Sequence, residues 1–454
     1  MSPTLATLLT VFGVIALLRF DIRSEPRSQA LWLPVLWLAI TGSRFVSQWV
    51  NLGAGAGENY TDGSPVDAAY FLLLIGVACA VLLLRGVRLG ELISNNKWLF
   101  ALVVYGLVSI AWSDFPNIAF KRWIKTLGHP LMALIILTDP QPMAALRSVI
   151  RRCAYFLLPV SVLFIKYLPE YGRGFDNWTG QGFNNGIGLT KNDLGYVTMV
   201  MGIFFVWNLL ILERRADGTP PLKEILLCAF FIWIDGWLMM MADSATSIAT
   251  LGIAVITMLA LGWRIVSKRF FVTFFVVILL VGWALESAFD IYAQVVGLLG
   301  RKASLTDRTV VWADVLALQQ QPWFGYGFES FWLGQRLDVL WAKWWWKPIQ
   351  AHNGYIETYL NLGWVGLVLL GGLILSTLRS ISRQLLTDFD FARLRLAFLF
   401  AILAFNYTEA AFKGVHFVWT IFFIIAINCT RADLQSRAVA GYRPRGQGSA
   451  RDAP

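Results

Sequence analysis

Blocks of uninterrupted apolar residues recur along this chain and limit its fold more than any other feature. A membrane-spanning helix needs about 20 mostly apolar residues. The candidates are Leu5–Leu18, Leu31–Trp49, Ala68–Leu84, Trp98–Trp112, Leu127–Leu137, Ala154–Leu168, Tyr196–Leu212, Ile225–Met241, Ile248–Trp263, Phe270–Leu285, Tyr355–Leu378, Leu396–Tyr407 and Val415–Cys429. The pattern predicts an all-α, polytopic integral membrane protein with about 11–14 transmembrane helices. Composition agrees: of 454 residues, 57% are hydrophobic and 15% charged, with a mean hydropathy of +0.60. Soluble globular chains are about 25% charged. A soluble enzyme is therefore excluded, as are disorder, collagen and a disulfide scaffold. Cys79, Cys153, Cys228 and Cys429 all lie in apolar stretches without metal-ligand spacing and read as small hydrophobes.

The formal charge of +10 raises the question of nucleic acid, but its distribution answers a different one. Most of the 38 basic residues fall in alternate loops, around Arg19–Arg27, Arg85–Lys97, Arg147–Arg152, Arg214–Lys223, Arg264–Arg269, Arg379–Arg395 and the tail from Arg431. The segment between the second and third blocks has neither Lys nor Arg but carries Glu58, Asp62 and Asp67. This alternation places the basic loops and the C-terminus in the cytoplasm. The excess charge is thus an insertion signal, and no nucleic-acid partner is expected. The first block has an uncharged start and no A-x-A cleavage site, so it reads as a retained span. Residues 1–430 read as one integral membrane domain and 431–454 as a basic, disordered cytoplasmic tail.

Two external segments are too long to be plain connectors. The first, PEYGRGFDNWTGQGFNNGIGLTKND, runs from Pro169 to Asp193; the second runs from about 286 to His352 and holds helical patterns rich in Trp, Phe and Leu. Within it, Thr306 or Asp307 can cap a helix RTVVWADVLALQQQ that stops before Pro322. Arg308 and Trp312, four residues apart, share one face of that helix. In PWFGYGFESFW, Gly325 and Gly327 permit a tight turn, and Trp341, Trp344, Trp345 and Trp346 surround Lys343 and Lys347. Such an aromatic belt suits the membrane interface, or a lid stacking on sugars or an isoprenoid chain. The loop ends at His352, where the chain re-enters the membrane. Neutral imidazole is suited to taking a hydroxyl proton near pH 7, and Asn353 beside it could orient the ring or bind a substrate hydroxyl.

HNGYIETYLNLGWVG, starting at His352, resembles the His-Asn…Gly signature of the O-antigen ligase and polymerase family. The upstream pieces agree: Arg308-x-x-x-Trp312 followed by PWFGYGF is similar to the family's stretch before the histidine. FKRWIKTLGHPLMALIILTDP and RRCAYFLLPVSVLFIKYLPEYGRGFDNWTG are similar to its exopolysaccharide-production branch, and the likeness runs from about residue 118 to 370. The resemblance implies a GT-C-like, metal-independent glycosyltransferase of the bacterial inner membrane, with its site on the periplasmic side and a large periplasmic helical loop at 286–352. Its donor would be a glycan on undecaprenyl pyrophosphate. Its acceptor would be another glycan or the lipid A core, with chain-length regulators or export proteins as further partners. No metal or cofactor is expected.

Such a reaction needs fixed cations for a diphosphate leaving group. Arg308 is the leading candidate, followed by Lys191, Arg173 and the cluster Lys121, Arg122 and Lys125 on an amphipathic external stretch. His352 would be the base. Arg308 and His352 are thus the catalytic candidates, with Asn353, Lys191, Arg173, Arg122 and Trp312 as substrate-binding candidates. Glu409, Lys413 and His416, near the last external turn, are candidates to line the same cavity. One competing signal is Asp235, a carboxylate near the middle of its span, as a proton-coupled transporter of a lipid-linked glycan would carry. Arg44 is a possible partner for it. No internal repeat supports that alternative.

Overall fold

A computed structural model describes residues 1–24, 28–52, 63–175, 180–214, 222–263, 268–271 and 308–429. The described residues are mostly helical. In order come α1 (Pro3–Ser24), α2 (Trp32–Thr41), α3 (Val46–Val50), α4 (Pro65–Leu84), α5 (Leu89–Asn95), α6 (Lys97–Val108), α7 (Pro116–Thr126), α8 (Gly128–Leu137), α9 (Pro142–Tyr167) and α10 (Pro169–Gly172). A two-stranded antiparallel hairpin, β1 (Arg173–Phe175) and β2 (Gly182–Asn184), follows, with Arg173 paired to Asn184. Then come α11 (Lys191–Arg214), α12 (Leu222–Ala242), α13 (Ala245–Gly262), α14 (Arg308–Ala317), α15 (Gln335–Lys343), α16 (Gly354–Gln384), α17 (Phe389–Thr408) and α18 (Phe417–Ala426).

The apolar blocks become these helices. Phe270–Leu285 lies almost wholly outside the described residues, as do residues 286–307, with the expected Thr306/Asp307 cap, and the 431–454 tail. Among the described residues, seven helices are long and apolar enough to cross a membrane: α1, α4, α9, α11, α12, α13 and α16. The count is eight if Leu89–Asn95 and Lys97–Trp112, bent by 102°, form one span. Other blocks form ten-residue helices such as α2, α8 and α18. Ten residues rise only about 15 Å, about half the hydrocarbon thickness. These short helices sit inside the bundle: α8 and α18 are buried along almost their whole length and stack through His129 and Phe423. Of the cysteines, Cys153 and Cys228 are buried and Cys79 is exposed on α4.

Polar side chains gather at the two ends of the long helices. At one end Asp21 of α1 meets Arg151 and Arg152 of α9, and Arg151 also meets Glu224 at the start of α12. At the other end lie the hairpin, the start of α11, the start of α16 and the turn after α17.

The helix that follows His352 is broken. It runs from Gly354 to Gln384, but inside it Gly363 has φ 64° and ψ −163°. Glycine is required there and at Gly325 (φ 68°), because the two chain segments cross backbone to backbone. A Cβ on Gly363 would lie 2.3 Å from the Trp323 carbonyl oxygen, and one on Gly325 would lie 2.4 Å from that of Asn361. The PWFGYGF turn fills the break: Trp364 N–H donates to Pro322 O, and Tyr326 N–H and Gly327 N–H donate to Leu360 O and Asn361 O. These bonds satisfy the backbone groups freed by the kink, as an apolar setting demands.

Candidate functional site

The site grows from the turn between the long loop and α16. Asn353 is the N-cap of α16, and its Oδ1 accepts from the N–H groups of Tyr355 and Ile356, both at 3.0 Å. Its Nδ2 donates to Tyr407 O at 2.9 Å. Both ends of this buried amide hold the turn that carries His352.

His352 precedes the cap in the left-handed region, φ 50°. A non-glycine residue held there costs about 1–3 kcal/mol and persists only where its surroundings fix it. They do so here. Glu357, one turn into α16, accepts the Ala351 N–H at 2.5 Å and the Trp332 indole N–H at 2.9 Å. Trp312, a substrate-binding candidate, donates its indole N–H to Ala351 O at 2.7 Å. Ala351 is thus gripped from both sides, and the imidazole that follows is aimed by backbone geometry.

The His352 ring meets Glu409, which follows the last turn of α17. His352 Nδ1 lies 3.2 Å from Glu409 Oε2. The other oxygen, Oε1, accepts from Arg308 Nη2 and from Asn192 Nδ2, both at 2.8 Å. Arg308 Nη1 also donates to Thr408 O. Burial pushes the Glu409 carboxyl up, but the hydrogen bond from His352 and the charge of Arg308 outweigh it and hold the carboxyl below its ordinary value. With its proton on Nδ1 the ring donates to Glu409, and Nε2 then carries the free lone pair, a carboxylate-oriented base arrangement. Arg308, Val311, Trp346, Ala351 and His352 line one depression. The side chains of His352 and Arg308 are 25% and 21% exposed, against 9% for Glu409. The base candidate and the leading cation therefore share one open chamber, over a buried carboxylate that joins them.

The remaining candidates divide. Lys191 starts α11 next to Asn192, so it sits beside the cluster without pairing to Glu409. Arg173 is on β1, with its Nε bonded to Ile165 O at 3.0 Å, and is not among the residues that line the depression. Arg122, on α7, donates to Glu329 O at 2.6 Å, away from His352. Lys125 on the same helix is pushed below its ordinary value by burial against the opposing pull of Asp67. The Lys121, Arg122 and Lys125 cluster is thus not part of the depression. Arg44 does not meet Asp235: it bonds the carbonyls of Tyr171, Ile187 and Gly188 and ties together the loops around the hairpin. Asp235 is buried with Oδ1 lacking a hydrogen bond.

The three histidines also separate. His129 is fully buried, with Nε2 bonded to Gly414 O and Nδ1 to Thr420. His416 caps α18 by accepting the Val418 N–H on Nδ1. Of the three, it is His352 that lines the depression. Glu409, a cavity-lining candidate in the sequence, joins His352, Arg308 and Asn192; those pairings, and Asn192 itself, had no local pattern to announce them.

Residues 228–371 match the O-antigen ligase family. The matched stretch holds Arg308, His352 and Asn353, and ends before Glu409. The chain is also similar to the exopolysaccharide production protein ExoQ of Rhizobium meliloti, at 24% identity over 311 residues, 65% of this chain and 67% of the relative. The resemblance read around His352 therefore holds, on a multi-pass, all-α membrane framework.

Proposed function

We propose that this chain, similar to O-antigen ligases through its central region and to an exopolysaccharide production protein along most of its length, is a metal-independent membrane glycosyltransferase. It moves a glycan from undecaprenyl pyrophosphate to an acceptor sugar hydroxyl on the periplasmic side, in polymerisation of exopolysaccharide or O-antigen. The single observation that carries this reading is the pairing of His352 with Glu409 across from Arg308 in one depression. His352 Nε2 accepts the proton of the acceptor hydroxyl as its oxygen bonds to the anomeric carbon. The bond from that carbon to the phosphate oxygen breaks, and the diphosphate leaves with the electron pair. Glu409 stabilises the imidazolium that forms. Arg308 has five N–H donors, of which two are engaged by Thr408 and Glu409, so the rest can meet the charge growing on the diphosphate. Lys191, beside the same cluster, adds a second cation.

The test is purified protein with a synthetic polyprenyl-pyrophosphate glycan and a sugar acceptor, in the presence of EDTA. The expected result is release of free polyprenyl pyrophosphate and extension of the acceptor. Movement of the intact donor across a vesicle membrane without bond cleavage would instead support a transporter, the reading that the buried Asp235 favours. In a deletion strain, single repeat units left on the lipid mark a polymerase, and full chains left on the lipid mark a ligase.

A further inference from the structure

Trp341, Trp344, Trp345 and Trp346 crowd into one short stretch of the external loop, and the fold gives them different tasks. Two are spent on the protein. The indole N–H of Trp341 donates to Pro348 O at 3.0 Å, and that of Trp344 donates to Asp314 Oδ2 at 2.8 Å. The other two are the central residues of a turn that follows α15, closed by the Lys347 N–H on Trp344 O at 3.0 Å with Lys347 at φ 51°. This turn sends Trp345 outward, where it is 59% exposed, and brings Trp346 back into the lining of the depression that holds Arg308 and His352.

Trp346 is half-buried there. It packs against the apolar cluster of the loop, which contains Val311, Val315 and Leu340, and its ring meets that of Trp344 edge to face with centroids 5.9 Å apart. This packing fixes the indole in place before any substrate arrives. Its N–H is unspent: unlike those of Trp312, Trp341 and Trp344, it makes no hydrogen bond with any described residue. A fixed aromatic ring with one free donor suits a pyranose. The C–H bonds on one face of the sugar are apolar and cover the ring, and the hydroxyls at its rim accept the N–H. We propose that Trp346 is the platform for the acceptor sugar, the ring whose hydroxyl gives its proton to His352. The proposal rests on the transfer reaction proposed above and adds the residue that selects its acceptor. Trp346 belongs to the segment that carries the base, which has to touch the acceptor hydroxyl, whereas the diphosphate end of the donor falls to Arg308 on α14.

The probe is an oligosaccharide made by partial acid hydrolysis of the host's own surface polymer, and the protein is the full chain in nanodiscs. Two readouts are taken. One is steady-state transfer from a synthetic polyprenyl-pyrophosphate glycan, giving kcat and separate KM values for donor and acceptor. The other is calorimetric binding of the oligosaccharide alone. Trp346→Ala is expected to raise the acceptor KM and the oligosaccharide Kd about tenfold, with kcat and the donor KM near their wild-type values. Trp346→Phe keeps an aromatic face and the packing but loses the N–H, so its acceptor KM is expected to lie between the two; it carries the test if the alanine variant does not fold. Trp345→Ala, on the outward side of the turn, is expected to match the wild type. A merely structural role would move kcat and the donor KM along with the acceptor KM, and that pattern overturns the proposal. So does a rise confined to the donor KM, an oligosaccharide affinity unchanged in both Trp346 variants, or an oligosaccharide that does not bind the wild type saturably. Binding that depends on Trp346 in a wild-type protein that does not transfer upholds the sugar platform and counts against the reaction alone.

Discussion

Two carboxylate–arginine networks cap the opposite ends of this bundle, and they differ in one respect that separates holding from acting. Asp21 and Arg152 pair at 2.7 Å with side chains only 1% and 3% exposed, supported by Ser148 and by the Trp32 ring under the guanidinium. Glu409 and Arg308 pair at 2.8 Å, but the arginine keeps an open edge and the same carboxylate also reaches a histidine. A sealed ion pair can only join helices, here α1 to α9. An ion pair with an open edge and a base beside it can meet a substrate. The same residue types therefore read differently according to what their unengaged atoms face.

If that contrast is right, the two networks fail differently. His352→Ala is expected to lower glycan transfer by about 10²–10⁴-fold, the usual contribution of a general base, with the protein still inserted and folded. Normal surface polymer in cells carrying this variant removes the base from the account. Arg308→Ala should fall nearly as far, and Arg308→Lys should recover only part of the rate, since an ammonium lacks the planar five-donor fork that reaches Thr408 and Glu409 with donors to spare. At the sealed end, Asp21→Ala is expected to destabilise by about 3–5 kcal/mol, because Arg152 is left buried without its partner. Its transfer rate per folded molecule should not change, which thermal denaturation and activity on the surviving fraction measure together. A loss of turnover without loss of stability in this variant breaks the contrast.

The framework was legible because hydropathy blocks carry it: α4, α9, α11, α12 and α16 lie where the apolar runs lie. The break at Gly363 was not, since the run continues through it and only the approach of Trp323 forces the glycine. Chemistry and motif order single out His352 and Arg308, and the fold places both in the lining of one depression. Asn353 caps α16, a role that an asparagine before a helix signals in itself. Arg173 and Arg122 carry the right charge, yet the bundle holds them on other elements. Trp312 lies on the same face as Arg308, as its spacing predicts, but that face meets the Ala351 carbonyl.

The most direct measurement separates binding from chemistry at the depression: the affinity of the Arg308→Ala and His352→Ala proteins for polyprenyl pyrophosphate, set beside their transfer rates. The account predicts that Arg308→Ala binds about tenfold more weakly, while His352→Ala binds like the wild type and does not transfer. Wild-type affinity in Arg308→Ala, or transfer at the wild-type rate in His352→Ala, would contradict it.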